Sequence, residues 1–194
     1  VVPTTDGRTT VIKKQIPQSS IAFAQLGLKR NDPDFYTMFV LNYILGSGGF
    51  TSRLYIEVRE KRGLAYSIST GLYPLNHAAL LWGTSGTANK RTAETLKLVR
   101  AEWRRLANKG VTLSELKDAK TYLTGSFPLR FTSSGRIASI LVSMQFNKLG
   151  IGYLDQRNGF IEKVTLKGVN RLAKRMLDDK KLSIVVVGSP SGVQ

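Results

Sequence analysis

The stretch Arg53-Leu54-Tyr55-Ile56-Glu57-Val58-Arg59-Glu60-Lys61-Arg62-Gly63-Leu64-Ala65-Tyr66-Ser67 decides how this chain is read. A charged helix stops at Gly63, and an apolar strand begins at once. Arg59 falls in the last helical turn and Tyr66 at the start of the strand, so the two side chains can approach one another. A guanidinium and a phenol both donate hydrogen bonds. Aimed at one carbonyl oxygen, they would stabilise negative charge developing there. The plainer alternative is that Arg59 answers the helix C-terminal dipole and Tyr66 is half-buried in a sheet. The residues alone leave both open.

Upstream, Gly46-Ser47-Gly48-Gly49 breaks an apolar helix containing Phe35, Met38, Phe39, Leu41, Ile44 and Leu45. Asn31-Asp32-Pro33-Asp34 supplies that helix with a cap and a proline in its first turn. Thr51 or Ser52 can cap the helix that follows. The glycine run lacks the Lys-Ser/Thr pair of a P-loop and the G-x-G-x-x-G spacing. It reads as a flexible break or as a loop that contacts a peptide. Before it, residues 20–28 form a buried strand, preceded by a polar lead-in with one strand at 10–16.

Downstream, residues 64–73 and 78–87 read as a hairpin around Pro74-Leu75-Asn76-His77. Leu96, Val99, Trp103 and Leu106 then mark a helix closed by Gly110. Thr112-Leu113-Ser114-Glu115 is a capping box opening a helix with Leu116, Ala119 and Leu123 on one face. Ser133-Ser134 can cap another, with Ile137, Ile140, Leu141 and Met144, interrupted by Gly150 and Gly152. Thr165 opens the last helix, carrying Val169, Leu172, Ala173 and Met176. Residues 182–187 close the chain's regular structure as a β-branched strand. Strand, helices, hairpin, helices, strand is an α+β order, and the last strand returns to the first strand's sheet. Residues 1–194 are expected to form one domain.

Composition narrows the chemistry. The 194 residues include 29 Lys plus Arg, 13 Asp plus Glu, one His and no Cys, a net charge of +16. A lone His77 in a hairpin turn makes a zinc site within this chain unexpected and leaves no setting for a Ser-His-Asp triad. The basic charge invites nucleic acid as a partner, but it is scattered over polar faces without a long basic run or an RNP-like aromatic motif. Tyr73, Trp82 and Trp103 read as packing residues and Asp178-Asp179-Lys180-Lys181 as a solvated turn. Glu57 and Glu60 read as helix-surface partners of nearby cations. No apolar run approaches the roughly 20 residues of a membrane helix. The start, Val1-Val2-Pro3-Thr4, lacks Met and a signal-peptide pattern, as a fragment or processed product would.

The runs Leu41-Asn42, Leu45-Gly46-Ser47-Gly48-Gly49-Phe50-Thr51-Ser52-Arg53-Leu54 and Glu57-Val58-Arg59-Glu60-Lys61-Arg62-Gly63-Leu64-Ala65-Tyr66-Ser67 resemble the pitrilysin/insulinase family of zinc metallopeptidases. The likeness is to the family's second, non-zinc ("inactive") domain and extends over nearly the whole chain. It implies a largely antiparallel sheet backed by helices. It implies a homologous partner domain or subunit with the H-x-x-E-H motif, so zinc is expected there and no cofactor here. It matches Arg59 and Tyr66 to a substrate-contacting pair seven positions apart. It makes Gly48 and Gly49 part of a mobile wall beside an unfolded peptide substrate. Without the zinc half this chain would cut nothing. The resemblance favours a bacterial periplasm or cell envelope, about which the residues themselves are silent. Two alternatives stay open: a scaffold subunit whose peptidase partner is also dead, and a basic nucleic-acid-binding module.

Overall fold

The computed structural model describes residues 5–75 and 77–193. Five strands form one sheet: β1 (Thr9–Lys13), β2 (Gln18–Leu26), β3 (Ala65–Pro74), β4 (Ala79–Ala88) and β5 (Ser183–Gly188). Their order is β1-β5-β2-β4-β3. β1 and β5 are parallel, whereas β5 with β2, β2 with β4 and β4 with β3 are antiparallel. The closing strand thus does return to the opening sheet, between β1 and β2. Asn76, in the expected hairpin turn, lies outside the described residues.

Side chains alternate across a strand, so each strand offers the sheet one buried set. Ile21 and Phe23 of β2, Leu81 of β4 and Ile184 and Val186 of β5 form this inner face. The helices α1 (Phe35–Asn42), α2 (Thr92–Lys109) and α6 (Leu166–Met176) supply its cover. Met38, Leu41, Val99, Trp103, Leu106, Val169 and Leu172 belong to the same core. Trp103 is fully buried, edge-on to Phe23 with ring centroids 5.6 Å apart. Its indole N–H donates to Gln25 Oε1 at 2.6 Å, which satisfies a polar group the core would otherwise strand. The other face of the sheet is open, with Tyr73, Trp82 and Val185 at 51%, 40% and 40% exposure. Of the three aromatics assigned to packing, Trp103 alone is wholly enclosed.

α3 (Leu113–Gly125) begins with the expected capping box between Thr112 and Glu115. Ser133 caps α4 (Ser134–Phe146), and Thr165 caps α6. The start of α1 differs from expectation. Asp34 occupies its N-cap position without a side-chain capping bond. Its carboxylate instead meets Arg171 and Arg175 of α6 at 2.5 and 2.9 Å. Within the same stretch Asp32 Oδ1 accepts from the Asp34 amide at 2.8 Å, and Pro33 lies in the turn before the helix.

Three further departures have physical causes. α5 (Tyr153–Glu162) carries a weak sequence signal, because between the apolar pairs Tyr153-Leu154 and Phe160-Ile161 the position on the buried face is the charged Arg157. α4 has a helical apolar pattern, but only Met144 of its residues is buried. Ile137, Leu141, Val142 and Phe146 are 38–63% exposed, because periodicity specifies an apolar face but not its cover. Asp179, expected in a solvated turn, is paired with Arg104 at 2.5 Å.

Candidate functional site

The helix expected after the glycine run is mostly a π-helix, Tyr55–Glu60. A second π-helical segment, Tyr43–Ser47, extends α1. Such wide turns are rare and concentrate at functional sites. The Lys61 amide reaches the Ile56 carbonyl at 2.9 Å, and the Leu64 amide reaches Val58 O at 2.9 Å. This wider winding sends Leu54 and Val58 into the core and runs the chain directly into the edge strand β3. Between the two segments, Gly49 adopts φ +59°, as does Gly63 at +57° after the second. L-residues with a Cβ disfavour this left-handed backbone, so both turns call for glycine.

The structure brings Arg59 and Tyr66 together. The Arg59 guanidinium lies 5.2 Å from the Tyr66 ring centroid and 4.9 Å from that of Tyr55. Its Nη1 also donates to the Tyr55 hydroxyl. Contact with Tyr66 is thus cation–π stacking. Tyr66 is 80% exposed, so it is not the half-buried sheet residue of the plainer alternative. Tyr55 packs edge-on against Phe50, centroids 4.9 Å apart, and Phe50 is 73% exposed. The glycine run therefore adjoins the pair through Phe50 and Tyr55. Gly48 and Gly49 are tied down in one respect: their carbonyls accept from Thr51 Oγ1 at 3.0 Å and Ser52 Oγ at 2.8 Å. Tyr55 escaped the sequence reading, although a phenol four residues before a helical Arg is the spacing that places them side by side.

Two ionic anchors hold this segment. Glu57 pairs with Lys61 and Arg62, each at 2.7 Å, and lies 4.0 Å from Arg105 of α2. The bonds from Lys61 and Arg62 hold its carboxyl below the ordinary range. Arg53 pairs with Glu115 of α3 at 2.6 and 2.8 Å and donates to Gly110 O at 3.0 Å. Burial alone would raise the Glu115 carboxyl. Arg53 and the Thr112 amide and hydroxyl overcome that effect and hold it at about 2. Arg53 is the deeper partner, with its side chain 11% exposed.

Among the described residues no group of three or more His, Cys, Asp or Glu is placed to hold a metal ion. No helix of the described residues is long and apolar enough to cross a membrane.

The sheet with helices on one face and an Arg–Tyr cluster at its β3 edge has the architecture of a solved peptidase-like domain. A crystal structure of a peptidase M16 inactive domain from Pseudomonas fluorescens superimposes with a TM-score of 0.84 at 34% identity, covering 96% of this chain and 44% of that one. The peptidase M16 inactive domain family matches residues 1–123, and the chain belongs to that family. The likeness to a non-zinc metallopeptidase domain read from the sequence is therefore borne out, as is the α+β fold. A Streptomyces coelicolor relative named "Uncharacterized zinc protease SCO5738" is 31% identical over 94% of this chain and 39% of its own length. A Helicobacter pylori relative named "Non-peptidase homolog YmxG" is 28% identical over 92% of this chain and 41% of its own length. The chain thus spans about two fifths of the curated relatives it matches.

Proposed function

We propose that this chain is the peptide-holding, non-zinc half of an M16 zinc peptidase. A homologous zinc-bearing domain, in the same polypeptide or in a partner subunit, supplies the metal. Arg59 and Tyr66 donate to a substrate carbonyl near the scissile bond, while Gly48-Gly49-Phe50 forms the adjoining wall. Residues 1–194 fold as one domain in this reading and cut nothing alone. The observation that carries it is the Arg59 guanidinium held between the Tyr55 and Tyr66 rings, with the Tyr66 phenol largely exposed. This arrangement sets a fixed cation beside an available O–H at one end of the edge strand.

The test reconstitutes the chain with its zinc half and measures kcat/KM on an unfolded peptide. Arg59→Ala and Tyr66→Phe should each lower it about 10- to 100-fold, the cost of one charge-assisted hydrogen bond. Unchanged turnover in both variants sinks the assigned roles. A scaffold without proteolysis is the second reading, favoured by the non-peptidase name of the Helicobacter pylori relative. It predicts a tight complex in which no peptide is cut, even by the unaltered pair.

A further inference from the structure

Arg157 of α5 is only 4% exposed, and no carboxylate contacts it among the described residues. Its Nη1 donates to Leu123 O at 3.1 Å and Asn158 Oδ1 at 2.9 Å. Its guanidinium stacks 4.0 Å from the Phe127 ring centroid. The other groups acting on it are the Tyr153 and Tyr36 phenols and a further cation, Arg130. Burying a charge without a counter-ion is unfavourable, and burial pushes the pKa of this arginine down. Stacking on Phe127 recovers only part of that cost.

Arg157 lines a cavity of about 300 Å³ between α1, the turn Phe127–Phe131, α4 and α5. Two more arginines, Arg30 and Arg130, line it, as do Ser139 and Ser143, and among the described residues no Asp or Glu does. Arg30 stacks on Phe35, Tyr36 and Tyr153 at 4.3, 5.1 and 5.5 Å and donates to the Tyr36 hydroxyl at 2.9 Å. Burial, with Tyr153 beside it, pushes the Tyr36 phenol up to about 12. Phe39, Ile140 and Leu149 complete an apolar wall. Three cations and aromatic surface, with no acid among the described residues, are the complement of an anion on an apolar body.

We propose that this cavity binds a small organic oxyanion, a carboxylate or phosphate on an apolar or aromatic body, which supplies the counter-charge Arg157 lacks. Neither Arg59 nor Tyr66 lines it, so the site stands independently of the peptide-holding role.

The test titrates the 194-residue chain at constant ionic strength with benzoate, phenyl phosphate, inorganic phosphate and neutral benzyl alcohol, read by calorimetry and by melting temperature. At least one aromatic anion should bind saturably and raise the melting temperature. Tighter binding of phenyl phosphate assigns the site to phosphates, and tighter binding of benzoate to carboxylates. Arg130→Ala, at an exposed position, should weaken binding about tenfold without unfolding the chain. Arg157→Met keeps the apolar stem, removes the charge and should abolish the anion-dependent rise. The proposal is overturned if both aromatic anions bind no better than benzyl alcohol, or if inorganic phosphate binds as tightly as the tighter of the two aromatic anions. It is equally overturned if Arg130→Ala leaves the affinity unchanged. If Arg157→Met does not fold, the Arg130→Ala arm decides.

Discussion

Replacing Glu115 tests how the candidate site is anchored. Its carboxylate accepts from Arg53 Nε and Nη2 and from the Thr112 amide and hydroxyl, at 2.6, 2.8, 2.7 and 2.9 Å. Glu115→Gln keeps the shape but removes the charge, and turns an amide N–H₂ toward groups that are themselves donors. The loss of charge-assisted bonds to Arg53 is worth about 1.5–3 kcal/mol. Weakening of the capping box adds about 0.5–1 kcal/mol. Partial exposure of Glu115, at 30%, trims the sum, so about 2 kcal/mol at pH 7 is expected. For a chain of this length that lowers the melting temperature by roughly 4–8 °C. The folded carboxyl sits at about 2, below its ordinary 4.5, so its contribution is complete above pH 4.5 and drains away as the pH falls through 2. Urea unfolding of both proteins at pH 7, 5 and 3.5 should give the same difference at the first two values and a smaller one at the third. A difference that stays constant to pH 3.5, or one below about 0.5 kcal/mol at pH 7, refutes the reasoning.

Other substitutions probe separate parts of the molecule. Tyr55→Phe removes the acceptor that holds Arg59 and should lower peptide turnover by the reconstituted peptidase about three- to tenfold, with stability changed by less than about 1 kcal/mol. An equal loss in Tyr55→Phe and in a surface control would refute that positioning role. Trp103→Phe strands Gln25 Oε1 and opens space beside Phe23, so denaturant unfolding should show a loss of about 2–4 kcal/mol. Gly49→Ala meets no atom within 4 Å, so its cost is backbone strain alone, about 1 kcal/mol by chemical denaturation. A much larger loss would mean the turn is set differently.

Much of this protein is decided within short stretches. The capping box at Thr112 and Glu115, the caps at Ser133 and Thr165 and the breaks at Gly63 and Gly110 act over a few residues. Apolar and β-branched runs bounded by turn residues locate β2, β4 and β5, and Arg59 and Tyr66 stand out because a charged helix runs straight into a strand. These features need only neighbouring residues, so the sequence by itself determined them. Sheet order, with β5 inserted between β1 and β2, depends on pairing across more than 150 residues. Only the tertiary structure decided it, along with the π-helical winding, the pairing of Asp34 with Arg171 and Arg175, and the exposure of α4. The gathering of Arg30, Arg130 and Arg157 around one cavity belongs to the same group. In each case side chains remote in sequence compete for the same groups in space, and local propensity carries no record of who the competitors are.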